Sequence, residues 1–332
     1  MATVGNTYLT LRDKLSQTEG GKVTATIIDM FAESNTLLED AVVVECNDGT
    51  SHKTTVRNGL PEIEFRKFYQ GVNCSKGDYT QITDTTSMLD DYSECDKKLA
   101  DLNGDVAQFR LNESDAHIQA MNNKVQQAFF YGNKKNDSAA FDGLATRFNT
   151  ISTTKGSIGY QVIDAGGTGS DNTSIWLVAW GDRHTHLIYP KGSEAGLKHI
   201  DKGVVTTEDG SGKKFEAYRD YFSWDVGLSV RNYRSIGRIA NIDVSDLKTS
   251  NAAVLDDLMI DLYHRCKKHI KGAKRVVWYC NETIATYLHK QSKDKSNINL
   301  TLGEYGGQPV VEFLKMPVKT CDQILDTEAQ VV

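Results

Sequence analysis

Proline is scarce: four residues in 332, so no Pro-rich linker divides the chain. No apolar run approaches the roughly 20 residues that a membrane-spanning helix needs. The opening Met1-Ala2-Thr3-Val4-Gly5 lacks the basic stretch and apolar run of a secretion signal. Both readings point to a protein made in a cytoplasm, with no membrane partner. The six cysteines (Cys46, Cys74, Cys95, Cys266, Cys280 and Cys321) form no CxxC pair and are irregularly spaced. They read as reduced thiols, several of them buried as small hydrophobes, rather than as a disulfide framework. A basic excess is also missing: 38 Lys and Arg face 44 Asp and Glu, for a net charge of −6. A dedicated nucleic-acid binder draws most of its affinity from phosphate contacts, so this balance argues against that class.

Recognisable catalytic and ligand-binding motifs are missing too. Asp164-Ala165-Gly166-Gly167-Thr168-Gly169-Ser170-Asp171 is the most glycine-dense stretch, but no lysine follows it and a strand comes next. A phosphate-cradling loop needs the opposite, so this reads as a surface loop. His184-Thr185-His186 would put two imidazoles on one face of a strand. A third ligand at a natural spacing is lacking, and a packed or solvated pair is the better reading. No HExxH, GxSxG or CxxC occurs. No catalytic, cofactor or metal residue is therefore assigned and no cofactor is expected; an active site gathered from distant positions stays open as an alternative.

What is present is 39% hydrophobic and 25% charged residues, enough for a sizeable core and two or more lobes. Residues 1–21 are polar and read as an arm. Ala25, Ile28 and Phe31 recur at helical spacing, ending near Ser34-Asn35. Ala41 to Cys46 is β-branched, Asn47-Asp48-Gly49-Thr50 is a strong turn signal, and Ser51 to Arg57 is expected to pair back. Glu62 to Tyr69 alternates in part and reads as further strand. Met88, Leu89, Tyr92, Cys95 and Leu99 trace a helical face. After Asn103-Gly104-Asp105 a long stripe runs from Val106 to Tyr131, with Gly132 as its stop. A helix of about 25 residues would be nearly 40 Å long, a strut rather than an enzyme element.

Loop dominates 132–172, then strands at Ile175–Trp180, Thr185–Tyr189 and a long run over Lys213–Asn241. Val254, Leu255, Leu258, Met259, Leu262 and Cys266 make a helical face that ends in basic residues before Gly272. Arg275 to Cys280 reads as a buried strand, Asn281 as the cap of a helix bearing Ile284 and Leu288, and 298–313 as a hairpin.

Several ordered blocks carry a family resemblance across nearly the whole chain. They include Thr54-Thr55-Val56-Arg57-Asn58-Gly59-Leu60-Pro61, Leu99-Ala100-Asp101-Leu102-Asn103-Gly104, Phe130-Tyr131-Gly132-Asn133, Gly166 to Trp176, Ile188-Tyr189-Pro190-Lys191-Gly192 and Arg238-Ile239-Ala240-Asn241-Ile242-Asp243. Together they resemble the major capsid proteins of short-tailed phages related to Salmonella phage epsilon-fifteen. The resemblance implies an α+β chain of the Hong Kong-97-type capsid fold. It implies an N-terminal arm (1–40), an E-loop hairpin (41–82), a peripheral domain (83–250) with a spine helix (105–131), and an axial domain (251–332). Because the long β run precedes the axial-looking segment, a rearranged strand order is expected.

The implied function is a virion subunit, with no enzymatic activity, that self-assembles into hexamers and pentamers of an icosahedral shell in the host cytoplasm. The shell would touch packaged double-stranded DNA only non-specifically. A portal protein, a scaffolding protein and, optionally, a decoration protein would be its other partners. A head-completion or tail protein is the remaining structural alternative. The resemblance also places an inter-subunit interface on the E-loop, at Glu45, Asp48, Gly49, Lys53, Arg57, Glu62, Glu64, Arg66 and Lys67. Single surface pairs contribute only about 0–1 kcal/mol, so these charges would set register more than strength. The bland alternative is a solvated hairpin whose charges protect an edge strand.

Overall fold

A computed structural model describes residues 18–19, 23–24, 36–102, 104–209, 211–248, 254–291, 300–305 and 308–332. In chain order, two-residue strands β1 (Thr18–Glu19) and β2 (Val23–Thr24) precede helix α1 (Thr36–Asp40). Then come β3 (Val43–Glu45), β4 (Ser51–Gly59), the 19-residue strand β5 (Asp78–Asp96), α2 (Lys97–Asp101) and the 26-residue helix α3 (Val106–Tyr131). Next are α4 (Leu144–Arg147), β6 (Val162–Asp164), β7 (Asn172–Trp180), β8 (Thr185–Tyr189), β9 (Lys198–Glu208), β10 (Lys214–Val230) and β11 (Ile236–Asp243). The last stretch holds α5 (Leu255–Cys266), β12 (Arg275–Cys280), α6 (Glu282–Gln291), β13 (Leu300–Tyr305), β14 (Gln308–Phe313) and β15 (Met316–Thr320).

Two compact units emerge. One gathers Met88–Gln126 and Gly196–Asp225 with the described part of the first 33 residues; the other gathers Ser34–Ser87, Gln127–Ala195 and Val226–Val332.

In the first unit β9 and β10 form an antiparallel hairpin with a bulge between Tyr218 and Asp220. The imidazoles of His117 and His199 both stack on Phe222, with centroids 5.8 and 4.8 Å away. Arg110 makes a two-pronged contact with buried Asp220, at 2.7 and 3.2 Å, the planar geometry that suits guanidinium to carboxylate.

The second unit is built on β7, every residue of which is buried. Antiparallel partners flank it, β11 on one side and β12 on the other. Parallel strands extend the sheet, β6 beside β11 and β15 beside β12, and the β13–β14 hairpin joins through β15. The period of two along a strand sends alternate residues to opposite faces. Ile175 and Leu177 of β7 join Ile239, Trp278 and Val318 under the apolar faces of α5 (Leu255, Met259, Leu262) and α6 (Ile284, Leu288). Trp176 and Trp180 face the other way. There Trp180 stacks on Phe129 at 5.4 Å, and Trp176 meets Phe130 and Phe148 at 6.1 and 6.2 Å.

Two buried polar knots tie distant segments to this sheet. Asp40, at the end of α1, accepts from Tyr279 Oη at 2.9 Å, Lys319 Nζ at 2.9 Å and Arg275 Nη1 at 2.8 Å. On the aromatic face Arg238 donates to Glu328 at 2.9 Å, Ser174 at 3.0 Å and the Phe148 carbonyl at 2.8 Å. Glu328 also accepts from Tyr131 at 2.5 Å and from Ser174. Next to it Asn241, at φ +58°, exchanges two hydrogen bonds with the backbone of Val331. The left-handed conformation is one that Asn tolerates, and it produces the break in the β11–β7 register between Ile239 and Ile242.

Gly132 stops α3 as expected, and the reason is space. A Cβ there would stand 2.2 Å from the Phe141 carbonyl and 2.5 Å from that of Ala128. Backbone cannot yield cheaply, so Gly132→Ala is expected to destabilise the chain by about 3 kcal/mol, measurable by urea unfolding.

Several expectations need correction. Ser51 to Arg57 does not pair back on 41–46: β4 pairs with β5, and β3 runs parallel to β8. Met88 to Cys95 is strand, not helix, because it continues β5; the apparent helical stripe is the partial burial of alternate strand residues such as Ser93 and Cys95. No strand forms over 62–69. The long run 213–241 is two strands, β10 and β11. Strands β9 and β15 and helix α1 were not foreseen. The helix expected over 25–35 lies outside the described residues. The long helix, the strand Arg275–Cys280 and the cap by Asn281, which accepts from the Ile284 amide at 2.9 Å, stand as expected.

Candidate assembly surface

The hairpin expected to be the E-loop begins at its turn. Gly49 takes φ +55°, and Asp48 and Ser51 exchange backbone hydrogen bonds at 2.8 and 3.1 Å. Asn47 clamps the backbone of Lys53 from both sides, at 2.7 and 2.8 Å. Lys53 forms an ion pair with Asp48, and this hydrogen bond holds the Asp48 carboxyl below the usual carboxylate range. From here β4 climbs antiparallel to β5, with Ser51 opposite Thr85 and Val56 opposite Thr80.

Residues 60–77 connect the two strands without regular secondary structure. Ile63 is 91% exposed, Phe68 95%, and Phe65 and Tyr69 fully so. Leu60 and Val72 are exposed as well. Fully burying one such side chain is worth about 1.5–3 kcal/mol. A folded chain that leaves six of them in water over 18 residues forgoes a large part of a core's worth of stabilisation. Exposed apolar side chains concentrated in one segment make it the candidate contact surface.

The expected interface residues divide in two. Glu45, Lys53 and Arg57 are occupied within the chain: Glu45 accepts from the Gly192 amide at 2.8 Å, Lys53 pairs with Asp48, and Arg57 lies over the Tyr79 ring at 5.2 Å. Asp48 and Gly49 build the turn. Glu62, Glu64, Arg66 and Lys67 stand in the exposed segment, with no ion pair among the described residues. The apolar side chains between them were missed as interface candidates, because Glu62 to Tyr69 reads from the sequence as a partly alternating further strand whose charges draw the attention.

At the root of the hairpin the chemistry inverts. His186 of β8 is fully buried, and its ring meets His52 of β4 edge-on, centroids 5.4 Å apart. Asp84, opposite His52 in β5, is held by Arg147 at 2.8 Å, and Arg231 and Asp182 supply the other nearby charges. Burial first, then the His52 neighbour, push the His186 imidazole down to about 4; burial also lowers His52 and His184. Stability from His186 is therefore complete above pH 6.5. It is lost as the pH falls from 6.5 toward 4, because over that window the unfolded chain takes up a proton that the folded chain refuses. The expected loss is about 3 kcal/mol, and His186→Phe should remove most of that slope in urea titrations at pH 7.5 and 4.5.

No helix among the described residues is long and apolar enough to cross a membrane, and no group of three or more His, Cys, Asp or Glu among them is placed to hold a metal ion. The family model for major capsid protein GP7 matches residues 18–332. A chain in the structure of bacteriophage Epsilon15 is 38% identical, with a TM-score of 0.79 over 100% of this chain and 99% of that one. The capsid of bacteriophage JBD30 shares the fold at 11% identity, with a TM-score of 0.51 over 89% of this chain and 93% of that one. No curated protein matches. With its long helix, its outstretched hairpin and this likeness over its full length, the chain belongs to the GP7 family of major capsid proteins and forms the shell of a bacteriophage in the Hong Kong-97-type fold.

Proposed function

We propose that the subunit assembles into hexamers and pentamers of an icosahedral shell around double-stranded phage DNA, and that the E-loop is the part that grips a neighbouring copy. The observation that supports this most strongly is the exposed apolar segment 60–77 on a two-stranded stalk. Heterologous contacts of this sort close into rings and cages when repeated. Each contact can be modest, because many act together. Glu62, Glu64, Arg66 and Lys67 supply charges of both signs around the apolar tip, so they fix register. Glu45, Asp48, Gly49, Lys53 and Arg57 hold the stalk in its shape and reach the neighbour only secondarily.

In this reading residues 1–40 are the arm, residues 41–82 the E-loop and residues 105–131 the spine helix. Residues 83–250 are then the peripheral domain and residues 251–332 the axial domain. The strand order is then rearranged, as the position of β10 before β12 suggests. A portal at one vertex, a scaffolding protein, an optional decoration protein and assembly in the host cytoplasm complete the proposal, and the subunit carries out no catalysis.

Electron microscopy of the purified chain with its assembly helpers tests it. Closed shells with five- and six-fold capsomers are expected. Tubes or single rings would instead mark a tail or head-completion protein, and a small oligomer that turns over a substrate would mark an enzyme.

A further inference from the structure

The chain is acidic overall, yet one edge of the β7 sheet is the reverse. Residues 264–275 (His264-Arg265-Cys266-Lys267-Lys268-His269-Ile270-Lys271-Gly272-Ala273-Lys274-Arg275) contain six Lys and Arg and no carboxylate. The fold then adds cations from elsewhere. The Lys274 amide donates to the Trp180 carbonyl at 2.8 Å, which sets this segment beside the β7–β8 turn and its Arg183. His184 is bonded to the backbone of Lys271, and the Arg231 amide donates to the His184 carbonyl at 2.9 Å, which brings in the end of β10.

Arg183, Arg231, Lys267, Lys268, Lys271 and Lys274 are all exposed. Among the described residues the sole ion pair made by these six is Arg231 with Asp182, at 3.8 Å. Part of this charge answers the negative end of α5, but that end can use only the cations of its last turn. Arg183, Arg231 and Lys274 come from other elements.

We infer that this basic edge is a docking surface for the phosphate backbone of double-stranded DNA. The inference rests on the proposed shell function, which gives one face of the subunit a duplex to meet. Four of the six cations are lysines, point charges without the planar fork that selects carboxylates. Tyr263 is the one ring paired with these cations, under Lys267 at 5.8 Å, so there is no row of aromatics among the described residues on which successive unstacked bases would stack. Such a set reads charge density and not sequence, and a duplex presents about one charge per 1.7 Å of its axis.

The test is fluorescence anisotropy of a short labelled DNA duplex with the full-length subunit over a salt series, with poly-glutamate as the rival polyanion. The triple variant Lys267→Gln, Lys271→Gln, Lys274→Gln should flatten the plot of log affinity against log salt by about 3. Between about 50 and 200 mM salt it should then lose about 40-fold less affinity than the wild type. The control triple Lys155→Gln, Lys213→Gln, Lys214→Gln removes the same charge from other exposed positions and should leave the slope unchanged. An equal change in both triples overturns the inference, as does binding of poly-glutamate without binding of duplex. Shell formation is scored by microscopy on the same preparations, so failure of the shell reading and failure of the docking surface are separate results.

Discussion

Replacing residues 60–77 with a short Gly-Ser turn is expected to abolish shells while leaving the subunit folded. Residues 60–76 are exposed throughout and contribute nothing to either core. The pairing of β4 with β5 closes at Gly59 opposite Asp78 and survives the change. Urea midpoints should therefore stay within the small range of ordinary surface substitutions, about 0.5 kcal/mol. The neighbour's grip is another matter. Phe65 and Phe68 each offer about 2 kcal/mol of burial on contact. Truncating one to Ala should weaken a pairwise contact by about 30-fold, and a shell multiplies that loss over every contact. Sedimentation and electron microscopy read the result, and normal particles from the replaced chain would remove the E-loop from the assembly. A cut over 47–70 is the poorer experiment, because it takes away β4 and uncovers His186 from its His52 neighbour.

The second large effect concerns the knot on the aromatic face. Arg238 and Glu328 are 3% and 5% exposed, and Arg238 also lies over the Trp176 ring at 4.9 Å. Glu328→Ala leaves a buried guanidinium without its counter-charge and leaves Tyr131 without its acceptor. The expected loss is about 3–5 kcal/mol, measured by urea unfolding. Replacing both partners with Met should recover part of it, because the desolvation of two charges is then no longer needed. A loss below about 1 kcal/mol for Glu328→Ala would mean that water reaches the pair.

The parts of the fold legible in the sequence are those whose signal is local. Helix α3 is a long periodic run with a glycine at its end, and α5 is a clean apolar face with acids at its start and bases at its finish. Asn281 sits where a cap belongs. Strand β5 is hard to tell from a helix in the sequence because Met88, Leu89, Tyr92, Cys95 and Leu99 satisfy a helical spacing although Met88 and Tyr92 are exposed in the fold; only the strand before them, 78–87, decides between the two. The pairing of β3 with β8 joins residues about 140 positions apart, by the register of Val43 with Leu187, and nothing in either segment names the other. The E-loop charges could be read, but the apolar tip could not. An exposed Phe and a buried Phe are the same letter until the structure shows that no strand covers Phe65. The basic edge is half legible: 264–275 is visible in the sequence, whereas Arg183 and Arg231 join it only through the fold.

The bond from Arg238 to Glu328 spans 90 positions, and that separation sets a clock. A ribosome adds about 5–20 residues per second, so a nascent chain carries Arg238 for roughly 5–20 s before its carboxylate partner has been synthesised. During that interval β11 cannot settle against β7 without burying a lone cation. Meanwhile the sticky hairpin tip, made much earlier, is already in solution. Completion of the sheet is thereby postponed until the message is nearly finished.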